Sequence, residues 1–229
     1  MVDDFVDQGQ KLEKHGHLDQ ALNNYNQALE ANPNNADAWF HRGRILSRTD
    51  LFEDAIQAYD NAIAIKADYA KAWCNKGIVL GVLDRDEEAM QALNQAIKLA
   101  PDFMEAWYNR GLALRDLGRY DEALSDFDQA LKIKPDSNDV WFSKGLTFKI
   151  MGRYDESLAA MAKALELYSD DGEVSLEKAK VHLLKNQAKE ALNSIAKAIE
   201  ADDDLKETAR SDEELQALWE NAEFKKLVS

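Results

Sequence analysis

Few side chains in this sequence could bind a metal, act as nucleophiles or grip a peptide, and their spacing separates those chemistries. His15 and His17 flank Gly16, close enough for two imidazoles to share a metal ion, but no third ligand follows nearby. His41 and His182 have no recurrent partner. The acidic runs Asp202-Asp203-Asp204 and Asp170-Asp171 lack the alternating ligands and central glycine of a calcium loop. Cys74 is the single cysteine, with nothing beside it in sequence to activate its thiol. No phosphate-cradling glycine loop, nucleophile elbow or paired cysteine motif occurs. Catalysis is therefore not expected, and neither a cofactor nor a metal is assigned. Asn75 and Asn109 offer a different chemistry, because a carboxamide both donates and accepts, as a peptide backbone does.

The elements that must position these residues are set by a repeat. Trp39, Trp73, Trp107 and Trp141 stand 34 residues apart, and such a fixed period marks a stack of like units. Four residues beyond each tryptophan lie Gly43, Gly77, Gly111 and Gly145, and seven beyond lie Leu46, Leu80, Leu114 and Phe148. Offsets of 0, 4 and 7 make one stripe of a first helix. Asp50, Asp84, Gly118 and Gly152 tolerate the left-handed backbone that ends it. A second helix carries Ala55, Ala89, Ala123 and Ser157, then the larger Tyr59, Leu93, Phe127 and Met161, then Ala62, Ala96, Ala130 and Ala164. Its first turn is acidic, as at Glu53-Asp54 and Asp121-Glu122, which complements the helix dipole. All three prolines, Pro33, Pro101 and Pro135, share the column that closes the unit. In the last copy of the period Ser175 stands where the tryptophan should be.

The net charge of -15, from 43 acidic and 28 basic residues, argues against nucleic acid or anionic membrane as the main partner. A lone cysteine excludes an internal disulfide framework and fits a reducing cytoplasm. The N-terminus lacks a signal-peptide pattern, and no stretch approaches the roughly 18 apolar residues of a membrane span. Starting at Met1 and ending in a cap-like tail, the sequence reads as a whole protein.

These columns (aromatic, glycine, then Ala, Phe or Tyr, Ala and Pro on the 34-residue period) strongly resemble the tetratricopeptide repeat family. The resemblance implies an all-α, right-handed superhelical solenoid whose first helices line a concave groove. Six repeats are expected at 2–35, 36–69, 70–103, 104–137, 138–171 and 172–205, with 206–229 as one or two capping helices. Ser211-Asp-Glu-Glu214 fits a capping box at a helix start in that tail.

Function is expected on the first-helix surface, one step round from the tryptophan stripe. Phe40 with Arg44, Cys74 with Ile78, Tyr108 with Leu112, and Phe142 with Leu146 form either an apolar groove floor or the seam between neighbouring first helices. Asn75 and Asn109 stand where some tetratricopeptide proteins hydrogen-bond a bound peptide's backbone. Arg44, Arg48, Lys71, Arg115 and Lys149 collect on the same side and would favour an acidic ligand. The family's carboxylate clamp for chaperone C-termini is not matched: its nearest register offers Val6, Gln10, His41, Lys71 and Asn75, one match in five. The expected function is a non-enzymatic protein-interaction scaffold holding a peptide or helix of another protein. The rival readings are homo-oligomeric self-assembly through groove or tail, and a regulatory subunit of an enzyme.

Overall fold

A computed structural model describes residues 2–229, with side-chain surroundings from Asp4 onward. The chain divides into two compact units, Met1–Ala113 and Leu114–Ser229. Among the described residues all regular structure is helical. The first unit holds α1 (Val2–Lys14), α2 (Leu18–Ala31), α3 (Ala36–Arg48), α4 (Phe52–Ile65), α5 (Ala70–Val82), α6 (Asp86–Leu99) and most of α7 (Met104–Asp116). The second holds α8 (Tyr120–Ile133), α9 (Asn138–Ile150), α10 (Tyr154–Leu167), α11 (Gly172–Leu184), α12 (Ala188–Ala201), α13 (Leu205–Ser211), a 3-10 helix (Glu213–Leu218) and α14 (Ala222–Leu227).

Helices pack as consecutive pairs: α1 on α2, α3 on α4 and α5 on α6 in the first unit, α9 on α10 and α11 on α12 in the second. The turn inside each pair uses a left-handed residue. Asp84 sits at φ 55° and Gly152 at φ 74°, as the offset-11 column requires. The glycine column works through close approach. A Cβ on Gly43 would sit 2.7 Å from the Tyr59 ring, and one on Gly77 2.7 Å from Leu93 and 3.1 Å from the Ala89 carbonyl. The large residue of each second helix thus occupies the space a side chain on the first would need, and Tyr59 and Leu93 are buried there.

The tryptophans stitch units of the repeat together. Trp39 Nε1 donates to the Pro33 carbonyl at 2.9 Å and Trp73 to the Ala67 carbonyl at 3.1 Å. Trp107 reaches the Pro101 carbonyl at 2.8 Å and, in the second unit, Trp141 reaches that of Pro135 at 3.0 Å. The accepting carbonyl, at Pro33, Ala67, Pro101 or Pro135, lies in the turn just past the preceding helix, and the indole gives it a partner there.

The tail differs from its expected form in two ways. It makes three short helical segments, not one or two. Ser211 ends α13, its Oγ bonded to the Glu207 carbonyl at 2.9 Å, and Asp212 is the residue that caps the next segment, accepting from Glu214 N at 2.9 Å. Asp212 has the extended backbone a cap requires, whereas Ser211 is still helical. Leu215, Leu218, Phe224 and Val228 are buried with Leu176, Leu192 and Ile195 of α11 and α12.

Candidate functional site

The first-helix stripe divides by burial. In the first unit Phe40 is 5% exposed and packs against Tyr69 with ring centroids 4.9 Å apart. Cys74, next in that column, is buried, and burial pushes its thiol up to about 12. Both therefore belong to the seam. Ile78, one turn on, is 37% exposed. Tyr108 and Leu112 are half-buried. Asn109 spends an amide hydrogen on its own helix, donating to the Glu105 carbonyl at 2.7 Å, while Asn75 faces a pocket. In the second unit Phe142 and Leu146 are half-buried against Met161, Val174 and Val181.

The pocket beside Asn75 has a volume of about 160 Å³ and is walled by Arg44, Ser47, Arg48, Tyr59, Asn75, Ile78 and Val79. Burial pushes the Tyr59 phenol up, against hydrogen bonding by Ser47 and Asn75. A second hollow, walled by Gln10, Glu13, Lys14 and His41, shares Arg44 and Arg48 with it. The second hollow is lined by a buried carboxylate. Glu13 accepts from the Tyr25 hydroxyl at 3.1 Å and meets Arg44 Nη2 at 2.9 Å and Arg48 Nη1 at 3.6 Å. The Gln10 amide lies 2.9 Å from His41 Nε2, so with the amide donating, the imidazole proton sits on Nδ1 and faces Glu13 at 3.5 Å. His41 also stacks on Tyr25, centroids 5.3 Å apart. Burial alone would push the Glu13 carboxyl up, but His41, the Arg44 charge and the Tyr25 hydroxyl together hold it below the usual carboxylate range. Arg44 and Arg48 remain 40% and 47% exposed, so both can still reach a ligand.

Lys149, the candidate from the second unit, sits in a cluster of its own. Its Nζ lies 3.0 Å from Glu177 and 2.7 Å from Glu214 of the tail. Lys180 lies 2.5 Å from Glu177, 2.6 Å from Asp212 and 3.5 Å from Glu214. Burial would lower the Lys180 pKa, but Asp212 and Glu177 raise it above the ordinary lysine value. Arg44, Arg48, Lys149 and Arg115 (by Asp116 at 3.0 Å) are thus answered by carboxylates, whereas Lys71 makes no ion pair among the described residues; neither unit presents a uniformly positive face.

Among the described residues no group of three or more His, Cys, Asp or Glu could hold a metal, and no helix is long and apolar enough to cross a membrane. Tetratricopeptide repeat models match residues 6–70 and 143–205, with further matches at 105–137 and 83–114. The chain belongs to the tetratricopeptide repeat family. Among solved tetratricopeptide structures, a MamA protein is 27% identical (TM-score 0.63), covering 75% of this chain and 94% of that one. TTC0263 of Thermus thermophilus, described as a thermophilic repeat protein, is 25% identical (TM-score 0.67; 80% and 100% covered). PilW, a type IV pilus biogenesis factor, shares the fold at 21% identity (TM-score 0.80; 95% and 97% covered). No curated protein matches the chain in sequence.

Sequence reading did not foresee the Glu13 cluster or the hold of the tail on Lys149 and Lys180. A signal existed: the column Glu13, Ser47, Gly81, Arg115, Lys149 and Leu183 changes from an acid in the first repeat to a base in the fourth and fifth.

Proposed function

We propose that this protein is a non-enzymatic interaction module that holds a peptide segment of another protein on its first-helix surface. The observation carrying this reading is the exposed Ile78 at the mouth of a pocket that also offers Asn75 and two half-exposed arginines. An apolar anchor beside a carboxamide and cations suits an extended segment with one acidic residue. Tyr108 and Leu112 extend that surface in the first unit; Phe142, Leu146 and Lys149 are the corresponding candidates in the second. Six repeats from 2 to 205, closed by a cap at 206–229, are part of the proposal, as is residence in the cytoplasm. The buried Cys74 with its raised thiol pKa supports a non-enzymatic role.

The test compares proteins captured from source-cell lysate by the wild type and by an Ile78→Asp, Asn75→Ala variant of unchanged helical circular dichroism. A partner kept by the first and lost by the second supports the reading; identical partner sets sink it. The docking of the acidic tail on Lys149 and Lys180 favours a second reading, self-assembly by exchange of tails between copies. Light scattering over a range of concentrations decides it, because a concentration-independent monomer rules exchange out.

A further inference from the structure

The tryptophan clasp has a second half, a cation three residues on that lies over the indole and reaches a polar side chain of the preceding second helix. Arg42 stands 5.3 Å from the Trp39 ring and donates to Asn26 at 3.1 Å. Lys76 stands 5.7 Å from Trp73 and 2.6 Å from Asp60. Arg110 stands 4.8 Å from Trp107 and 2.6 Å from Asn94. In the second unit Lys144 stands 5.4 Å from Trp141 and 2.5 Å from Asp128. Each cation thus has a π face on one side and a hydrogen-bond acceptor on the other.

On α11 the clasp is broken on both sides while the cation remains. Ser175 holds the tryptophan position, Ala162 holds the position of Asn26, Asp60, Asn94 and Asp128, and Lys178 holds that of the cation. A cavity of about 210 Å³ lies between α10, α11 and α12, walled by Ser175 of the tryptophan column and by Lys178, Glu190, Asn193 and Lys197 among others. Lys178 makes no ion pair among the described residues, and Glu190 lies beyond ion-pair distance of both lysines. The charge acting on Lys178 is another cation: burial first, and Lys197 second, lower its pKa. A half-buried ammonium facing a like charge is unfavourable unless a counter-charge enters. Ser175 and Asn193 add a hydroxyl and a carboxamide that can donate to it.

We propose that this cavity is an anion-binding site that takes a compact oxyanion, a phosphate or carboxylate group, between Lys178 and Lys197. The site is independent of the peptide surface proposed above. Its lining residues lie on α10, α11 and α12, whereas the proposed peptide surface draws on α3, α5, α7 and α9.

Amine labelling of the full chain tests it. A limiting amount of an N-hydroxysuccinimide ester at mildly alkaline pH, read lysine by lysine by mass spectrometry, reports whether the Lys178 amine is covered. Inorganic phosphate and acetate are titrated in separate arms, with ionic strength held by sodium chloride. Labelling of Lys178 is expected to fall along a saturating curve with at least one of the two ions, by about tenfold at ten times the apparent Kd, while the exposed Lys134 labels unchanged. Lys197→Met should abolish that protection in a folded protein, and Ser175→Trp, which fills the cavity, should do the same. Equal labelling with and without either ion overturns the proposal. So does protection that does not saturate, that sodium chloride reproduces, or that survives Lys197→Met.

Discussion

Glu13, His41 and Arg44 in the first unit occupy the same columns of the repeat as Lys149, Glu177 and Lys180 in the second. One cluster has a central carboxylate between cations; the other has a central carboxylate, Glu177, between two lysines and two further carboxylates from the tail. The difference lies in what comes next along the chain. After α11 the chain supplies Asp212 and Glu214, which close the cluster. After α3 it supplies α5, whose Asn75 and Ile78 leave Arg44 and Arg48 beside an open pocket. One arrangement of columns has become a closed structural contact in one place and an accessible one in the other.

Removing Lys180, the cation that the tail holds through Asp212, should break this comparison with the largest effect. Lys180 is 11% exposed, and Lys180→Met strands Asp212 without a counter-charge and leaves Glu177 to Lys149 alone. A loss of about 3 kcal/mol is expected in urea unfolding. Arg44→Met, in the same column, should cost roughly 1 kcal/mol or less because solvent screens the half-exposed guanidinium. Equal costs would mean that the two clusters are energetically alike.

The next effect is a contrast in pH dependence. The Glu13 pKa is lowered in the folded state, so its contribution is full above the unfolded carboxylate value, ordinarily 4.5, and is lost as pH falls through the lower folded value. The Lys180 pKa is raised, so its contribution is full below the ordinary 10.5 and is lost as pH rises through the higher folded value. Thermal unfolding of Glu13→Gln should lose part of the wild type's acid sensitivity, and Lys180→Met part of its alkaline sensitivity. The reverse assignment would refute the pairing described above.

The smallest effect comes from the middle of the column shared by Glu13 and Lys149. Gly81 occupies it on α5, and a Cβ there meets nothing within 4 Å. Gly81→Ala should therefore stabilise the protein by up to about 1 kcal/mol through helix propensity. Gly77→Ala, one turn earlier on the same helix, forces Leu93 aside and should destabilise by about 1–3 kcal/mol despite the same propensity gain. Matching signs in denaturation would show that the contacts at Gly77 are not tight.

The helix pairs, their turns and the packing of each glycine on the large residue of the second helix could be read from periodicity, because every one depends on neighbours at fixed spacing within the repeat. Asp50, Asp84, Gly118 and Gly152 ended their helices as residue type dictates. The candidate surface was only partly legible. Phe40 and Ile78 belong to the same helix surface, yet one packs beneath Tyr69 and the other meets solvent. That distinction depends on which side chains of the neighbouring helix pair reach each position, which periodicity does not encode.

By itself the sequence determined the family, the period and the residues that repeat, since local helix geometry converts a 34-residue spacing into stacked pairs. Tertiary structure decided where the chain departs from its own repeat. It buried Glu13 among Tyr25, His41 and Arg44, brought Asp212 and Glu214 to lysines on α9 and α11, and left Lys178 beside Ser175 in the wall of a cavity. Each outcome depends on charge and volume at contacts between residues distant in sequence. Such contacts exist only once the helices are packed.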